Sequence, residues 1–413
     1  MKNIIVYIAL LCLGQTFLHG QERMLIHNNG NVLYESPVLD IDSIKLRNNS
    51  SFIHLNDNVL EFPFAGIDSI TFTDEPINPN DDIVYIIYDG LSVTIINPFE
   101  DEGVMVDNMD ADVIVVSTAA KENIEYRLSG SSNIGSLNVT SDRDVVVSFD
   151  NLNLTNPSGP AVGILSEIAA TVTLIGNSVV SDGAESSGNA AIASAGALIF
   201  DGSGSLTLNG FKKHGIASDK SITVKSGIVK ISETSSDGFH SEGFVMDGGM
   251  LDISAGSDAI DAGKAAIEIN GGTITILSTE DDVKGIKSDD DITMNGGIIT
   301  MEVSGAQSKG VSSKKNFTFN DGLLTITTSG TTVLESSGSG FDPSYCTAIK
   351  TSGTITVNGG SIDIENTAQN DGGKGFSADG SIFINDGDIR IVTAGDGKTY
   401  TDENGQPDSY TSA

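Results

Sequence analysis

The 413-residue sequence specifies an all-β solenoid, a parallel β-helix preceded by a small β module. Three observations carry that reading. A short phrase returns along most of the chain. Inside each phrase, aliphatic residues alternate with polar ones. The composition, with 47 glycines, 9 prolines and no tryptophan, is rich in turns and poor in helix-forming runs.

The phrase is a small residue, an apolar residue, any residue, a small residue, and then two short aliphatic runs joined by an Asn/Asp-Gly turn. It reads HGIASDKSITVKSGIVKI from 214, DGFHSEGFVMDGGMLDI from 237 and DAIDAGKAAIEINGGTITI from 258. It returns as KGIKSDDDITMNGGIITM, KGVSSKKNFTFNDGLLTI, TAIKTSGTITVNGGSIDI and KGFSADGSIFINDGDIRI. The small residues that mark it are Gly163, Ala191, Gly215, Gly238, Ala259, Gly285, Gly310, Ala348 and Gly375, spaced 21 to 38 residues apart. A repeat of roughly 20 to 50 residues marks a solenoid, propeller or array. Spacing this irregular suits a coil whose strands are fixed and whose loops vary.

Ile222 and Val224, then Val229 and Ile231, alternate with polar neighbours as strands with one buried face require. The same positions return as Ile267, Ile269, Ile274 and Ile276, and as Ile355, Val357, Ile362 and Ile364. Stacked coil on coil, they form aliphatic ladders inside a tube. Each buried aliphatic contributes roughly 1.5–3 kcal/mol before ordering costs, so the stack folds where a single coil would not. Asn270, Asn295, Asn320, Asn358 and Asn385 share one turn position and predict an asparagine ladder.

In chain order, residues 1–20 have the Lys2 n-region, apolar core and short polar end of a secretory signal peptide, so a secreted or outer-surface setting is expected. Cys12 lies in that core, in a poor match to a lipoprotein box. Removal of the leader leaves Cys346 alone, so no intramolecular disulfide is expected. Residues 21–74 hold a duplication, IHNNGNVLYESPVLDIDSI and IHLNDNVLEFPFAGIDSI, read as a small β module. Residues 75–82 are Pro-rich and acidic, a linker. Residues 83–413 are the β-helix. Its first part, 83–160, has β-type runs without the phrase and is read as irregular first coils and a cap. The C-terminal end is expected to be uncapped, open to further coils or to a protein partner. No run after the leader is long enough to span a bilayer.

A net charge of -34 argues against nucleic acid and anionic membranes as partners, because phosphate binding needs a basic face. Charge is also patterned by coil. The residue before each marker gives a column of His214, Asp237, Asp258, Lys284, Lys309, Thr347 and Lys374. Three positions on from each lies a second column of Ala217, His240, Asp261, Lys287, Ser312, Lys350 and Ser377. Both flank one buried apolar residue and are expected to face outward together. Coils stack about 4.8 Å apart, where two carboxylates repel by about 1 kcal/mol in water. Asp237, Asp258 and Asp261 are therefore either solvated or hold a cation, and hard oxygen ligands point to Ca²⁺. Asp282, in the acidic loop before Lys284, is a further candidate ligand. Lys284, Lys287, Lys309, Lys350 and Lys374, with His240, form a strip suited to a polysaccharide bearing carboxylates, a uronate chain above all. Plain charge compensation between coils is the competing reading. No Ser/His/Asp hydrolase elbow or phosphate loop is present.

The phrase, in forms such as GIKSDDDITMNGGIITM and AIKTSGTITVNGGSIDI, resembles the carbohydrate-binding right-handed parallel β-helix family of bacterial surfaces, structurally similar to pectate lyases. The resemblance covers residues 83–413 and is most specific over 190–395. It implies binding of acidic or cellulosic polysaccharide with Ca²⁺ on the outside of the tube, the metal loops matching Asp237, Asp258 and Asp261 by repeat position. The duplicated module looks like segments common in secreted Bacteroidetes proteins. Pectate lyases need an Arg base, yet Arg23, Arg47, Arg127, Arg143 and Arg390 all fall outside the charged columns. His214-Gly215 precedes Asp281-Asp282, the reverse of the polygalacturonase order. These departures favour a Ca²⁺-assisted binding protein over the two alternatives: a lyase or hydrolase using Lys284 or Lys287 as base, and a structural adhesin.

Overall fold

In the computed structural model the described residues are 22–28, 31–37, 41–47, 50–55, 58–67, 69–74, 82–368, 372–396 and 398–410. The expected leader, 1–20, and residues 75–81 of the expected linker lie outside them. The chain divides into two compact units, Met1–Asp81 and Asp82–Ala413.

The first unit turns its duplication into an exchange of strands. Each copy supplies a hairpin, Glu22–Asn28 with Asn31–Pro37 and Ser50–Leu55 with Asn58–Pro63. Each copy's Ile-Asp-Ser-Ile segment then crosses over. Ser69–Asp74, from the second copy, pairs antiparallel with Glu22–Asn28, and Ile41–Arg47, from the first, pairs with Ser50–Leu55. Two three-stranded sheets result. Met24, Ile26 and Ile53 are buried between partly covered neighbours such as Tyr34, Ile44 and Phe62.

The second unit is the β-helix. One coil shows the plan: His214–Ser218, then Ile222–Val224, then Ile228–Thr234. The first strand of each coil joins a twelve-stranded sheet, and the other two join a twenty-two-stranded sheet. All strands of the twelve-stranded sheet run parallel except Val104–Met109, which pairs antiparallel at its N-terminal edge. About 11 turns stack in this way.

Register carries the core. Ile216, Phe239, Ile260, Ile286, Val311, Ile349 and Phe376 lie one above the next in the twelve-stranded sheet. Ile222, Phe244, Ile267, Ile292, Phe317 and Ile355 do the same on the next face. From Ile216 to Ile355 these side chains are fully buried. The large members stack edge-on where they meet, as Phe239 does on Phe244 with ring centroids 5.5 Å apart. The marker positions are small because they point into this packing. A Cβ on Gly285 would stand 2.7 Å from the Gly310 carbonyl oxygen and 3.0 Å from Met301 Sδ.

The asparagine ladder is present. Asn385 Nδ2 donates to Asn358 Oδ1, Asn358 to Asn320, Asn320 to Asn295 and Asn295 to Asn270, at 2.7–2.8 Å. Asn270 Nδ2 donates to Asp247 Oδ1 at 2.8 Å. The following glycines hold positive φ, 93° at Gly297, which an L side chain resists.

The ends differ. At the N-terminal end Ile83–Asp89 folds back on Ser92–Ile96, and Val104–Met109 on Asp112–Ser117, so antiparallel hairpins cover the first strands. In the last coil Ile382–Ile384 is exposed, whereas the equivalent Ile355–Val357 is buried at both aliphatic positions. The two long loops that follow Gly310 and Gly375 form antiparallel hairpins, Val333–Ser344 and Lys398–Tyr410. They meet where Ser339 N donates to the Glu403 carbonyl at 2.9 Å.

Gly285→Val, which forces a branched side chain against Met301 and the next coil's backbone, is expected to cost about 1–3 kcal/mol of stability. Thr300→Ala, outside the tube, should stay within about 0.5 kcal/mol. Chemical denaturation of the two variants beside the parent chain checks this.

Candidate functional site

The twelve-stranded sheet brings the two charged columns onto one face, in the register their spacing requires. His240 pairs with Asp261, Asp261 with Lys287, Lys287 with Ser312, Ser312 with Lys350 and Lys350 with Ser377. Lys284 pairs with Lys309, Lys309 with Thr347 and Thr347 with Lys374.

The expectation that both columns face solvent fails for most of the first and holds for the second only at His240, Lys287, Ser312, Lys350 and Ser377, which are exposed or partly so. His214, Asp237, Asp258, Lys309 and Thr347 of the first column are buried, and Asp261 of the second is buried with them. The first column occupies the bend where each coil enters the sheet, beside a marker that points inward, and the coil's own loop folds over it. Lys309 Nζ, for example, donates to the Gln307 carbonyl and lies 3.3 Å from Ser344 Oγ.

Burial forces the charges to find partners. Asp237 is the centre of one set. Its Oδ2 is 2.9 Å from His240 Nδ1 and 3.2 Å from His214 Nδ1, and its Oδ1 accepts the Asp258 N–H at 3.2 Å. The two imidazoles stack with centroids 4.3 Å apart and planes 12° from parallel. His214 Nε2 has no hydrogen-bond partner among the described residues. Lys287 is the centre of the other set, its Nζ 2.9 Å from Asp258 Oδ2 and 2.8 Å from Asp261 Oδ2. Asp261 Oδ2 is also 3.9 Å from His240 Nδ1, which joins the two sets.

These contacts move the proton affinities. Burial pushes the Asp237 carboxyl up, but hydrogen bonds from His214 and His240 outweigh it and hold the group well below the usual range. The bond to Asp237 pushes His240 up against its partial burial. Burial works against the Lys287 charge, yet Asp261 and Asp258 hold its ammonium above the usual lysine range. It keeps its proton and is unsuited to act as a base. For Asp258, burial exceeds the help from Lys287 and pushes the carboxyl up.

The remaining lysines form a second group. Lys309 and Lys374 are pushed down by burial and by neighbouring ammoniums, Lys284 and Lys350 for the first and Lys350 for the second. Asp282 lies with this group and not among the three acidic ligands expected with it. Its Oδ1 is 3.0 Å from Lys284 Nζ and 4.0 Å from Lys309 Nζ. Lys350 is exposed and makes no ion pair among the described residues. Lys374 Nζ stands 3.8 Å over the Tyr345 ring, a cation–π contact between a column residue and the long loop.

An open groove of about 350 Å³ lies beside the paired set. His240, Asp261 and Lys287 line it, together with Glu242, Lys264 and Lys314. Glu242 and Lys314 share one turn position of the phrase, five on from Asp237 and Lys309, and Lys264 lies six on from Asp258. Sequence reasoning followed only the two columns beside the marker and missed them.

A calcium ion takes about six to eight oxygen ligands. Each carboxylate oxygen of Asp237, Asp258 and Asp261 already has a donor. Asp258 Oδ1 accepts the Lys284 N–H at 2.7 Å and Asp261 Oδ1 the Gly263 N–H at 3.0 Å. Both Oδ2 atoms face Lys287 and both Asp237 oxygens are engaged as above. As placed, these residues do not fit the ion.

Residues 110–397 match the family model described as carbohydrate-binding domain-containing protein. The chain belongs to that family. Among solved structures the chain is similar to the polysaccharide lyase-like protein from C. thermocellum, determined as a gadolinium derivative. Sequence identity is 16%, the TM-score is 0.40, and the alignment covers 74% of this chain and 99% of that one. No curated protein matches.

The lowered Asp237 carboxyl contributes stability that is present above its ordinary value of 3.8 and is lost as pH falls through its folded value. Raised His240 contributes stability that is present below its ordinary 6.5 and is lost as pH rises through its folded value. Both contributions coexist between those two ordinary values. Asp237→Asn is therefore expected to destabilise the chain more at about pH 5 than at about pH 8.5 in urea unfolding. The His240 titration, followed by NMR, should move back down in that variant.

Proposed function

We propose that this carbohydrate-binding chain takes acidic, uronate-type polysaccharide along the twelve-stranded face, with Lys284, Lys309, Lys350 and Lys374 as its cationic contacts. One observation carries the reading. In a protein of net charge -34, four ammoniums stand on successive coils of one face, and those of Lys309 and Lys374 are pushed down by burial and by the neighbouring charges of Lys284 and Lys350. Charge compensation accounts for Lys287, which sits between two carboxylates. It does not account for Lys350 or Lys374, which make no ion pair among the described residues.

A polymer running along the tube axis would meet one cation per coil over these coils. The contacts would be charge-assisted and stronger than neutral hydrogen bonds. The groove at His240 extends the same face toward the N-terminal coils and offers Lys264 to a further carboxylate, Lys314 being paired with Asp289 at 2.8 Å. In this reading the leader-like residues 1–20 direct the chain out of the cell, where such polymers are met.

An enzymatic reading of the same face rests on His240, whose Nδ1 is held by buried Asp237, the arrangement that orients an imidazole as a base. An ultraviolet-absorbing unsaturated product from a polyuronate would establish it, and its absence from prolonged incubations leaves binding alone.

The double variant Lys350→Ala/Lys374→Ala is expected to lose about tenfold in affinity for polygalacturonate, about 1.4 kcal/mol. Binding by the parent chain should weaken as salt is raised, since Lys350 is exposed and Lys284 and Lys374 are partly so. Calorimetric titration with polygalacturonate and with a neutral glucan tests this. Equal affinity of parent and variant for the acidic polymer would remove the lysine strip from the reading.

A further inference from the structure

We infer that Lys287 is a tethered cation standing where a divalent ion would otherwise sit, so that the carboxylates of Asp258 and Asp261 take up no calcium while it is there.

Two consecutive coils place Asp258 and Asp261 on one side and the backbone of Lys287 on the other, with Asp261 and Lys287 directly paired in the sheet. The Lys287 side chain turns back along the tube axis. Its Nζ bridges Asp258 Oδ2 at 2.9 Å and Asp261 Oδ2 at 2.8 Å. An ammonium offers three donors, and two of them are spent on these oxygens. Both carboxylates are buried, and the Lys287 side chain keeps only 33% of its exposure. The remaining two oxygens are held by backbone N–H groups of Lys284 and Gly263.

A free ion entering this position would have to expel a group that is covalently attached and set in register by the sheet. It would leave an ammonium half-buried without a partner. It would also have to find further oxygen ligands in a place where Asp237 is committed to His214, His240 and the Asp258 N–H. Removing the ammonium reverses the balance. Two buried carboxylates of one coil are then left uncompensated, and a hard divalent cation becomes the group that satisfies them. This inference concerns the metal alone and does not depend on which polymer the face takes.

The test is calorimetric titration of the chelator-treated full chain with Ca²⁺, comparing the parent, Asp258→Asn/Asp261→Asn, Lys287→Ala and Lys287→Ala/Asp258→Asn/Asp261→Asn. Calcium bound elsewhere on so acidic a protein is common to all four and cancels. The expected result is that the parent and Asp258→Asn/Asp261→Asn bind the same number of ions. Lys287→Ala should bind one more, and the triple variant should lose that ion again. A drop of one ion from the parent to Asp258→Asn/Asp261→Asn would overturn the inference, since the native carboxylates would then be metal ligands. A folded Lys287→Ala with no added ion would overturn it also. Circular dichroism reports folding. If Lys287→Ala does not fold, Lys287→Gln replaces it with the same two outcomes.

Discussion

Parallel register is the constraint on which everything else in the tube rests. Each side chain of one coil is fixed over the side chain at the same position of the next, about 4.8 Å away, so every position is repeated against itself. For an aliphatic residue or an asparagine that repetition is favourable, because like packs on like or amide bonds to amide. For an ionised residue it is costly. The core therefore tolerates long unbroken columns such as Ile216 to Ile349, while the charged columns change sign within a few coils, from Asp258 and Asp261 to Lys284 and Lys287.

That change of sign divides the face into two regimes. Around Lys287 the charges lie close enough, and deep enough, to consume one another, giving a closed network that is strong and has little left to offer a ligand. Lys350 and Lys374 make no ion pair among the described residues, and their ammoniums turn to solvent and to an aromatic ring. A face that is acidic by composition thus acquires a basic stretch by position. The first long-loop hairpin reaches this stretch through Ser344, beside Lys309, and Tyr345, which follows it, stands under Lys374.

The core and the register of the charged columns were legible in the sequence because they follow from period alone. Counting from the small markers is enough to place Asp261 over Lys287 and to string Asn270 through Asn385 into one ladder. Depth and reach were not legible. Whether a residue before a marker is covered depends on how the coil's loop folds back, and loops are the part of the repeat that varies. This is why Lys309 and Asp258 are buried where solvent was expected. Lys287 bridging Asp258 and Asp261 depends on a long flexible side chain choosing to lie along the axis, which spacing does not determine. The strand exchange in the first unit was invisible for a different reason, since two copies of a motif look alike whether each pairs with itself or with the other.

The asparagine ladder has a polarity that its repeated residue hides. Each amide gives its hydrogen toward the N-terminal coils and receives one from the C-terminal side, so the chain of bonds runs one way and needs a terminus that only accepts. Asp247 is that terminus, for a carboxylate has lone pairs and no hydrogen to give. An acidic residue is thus admissible on the first rung of the ladder and on no rung above it, where the donor owed to the rung below would be missing. The one break in an otherwise uniform column marks its starting end.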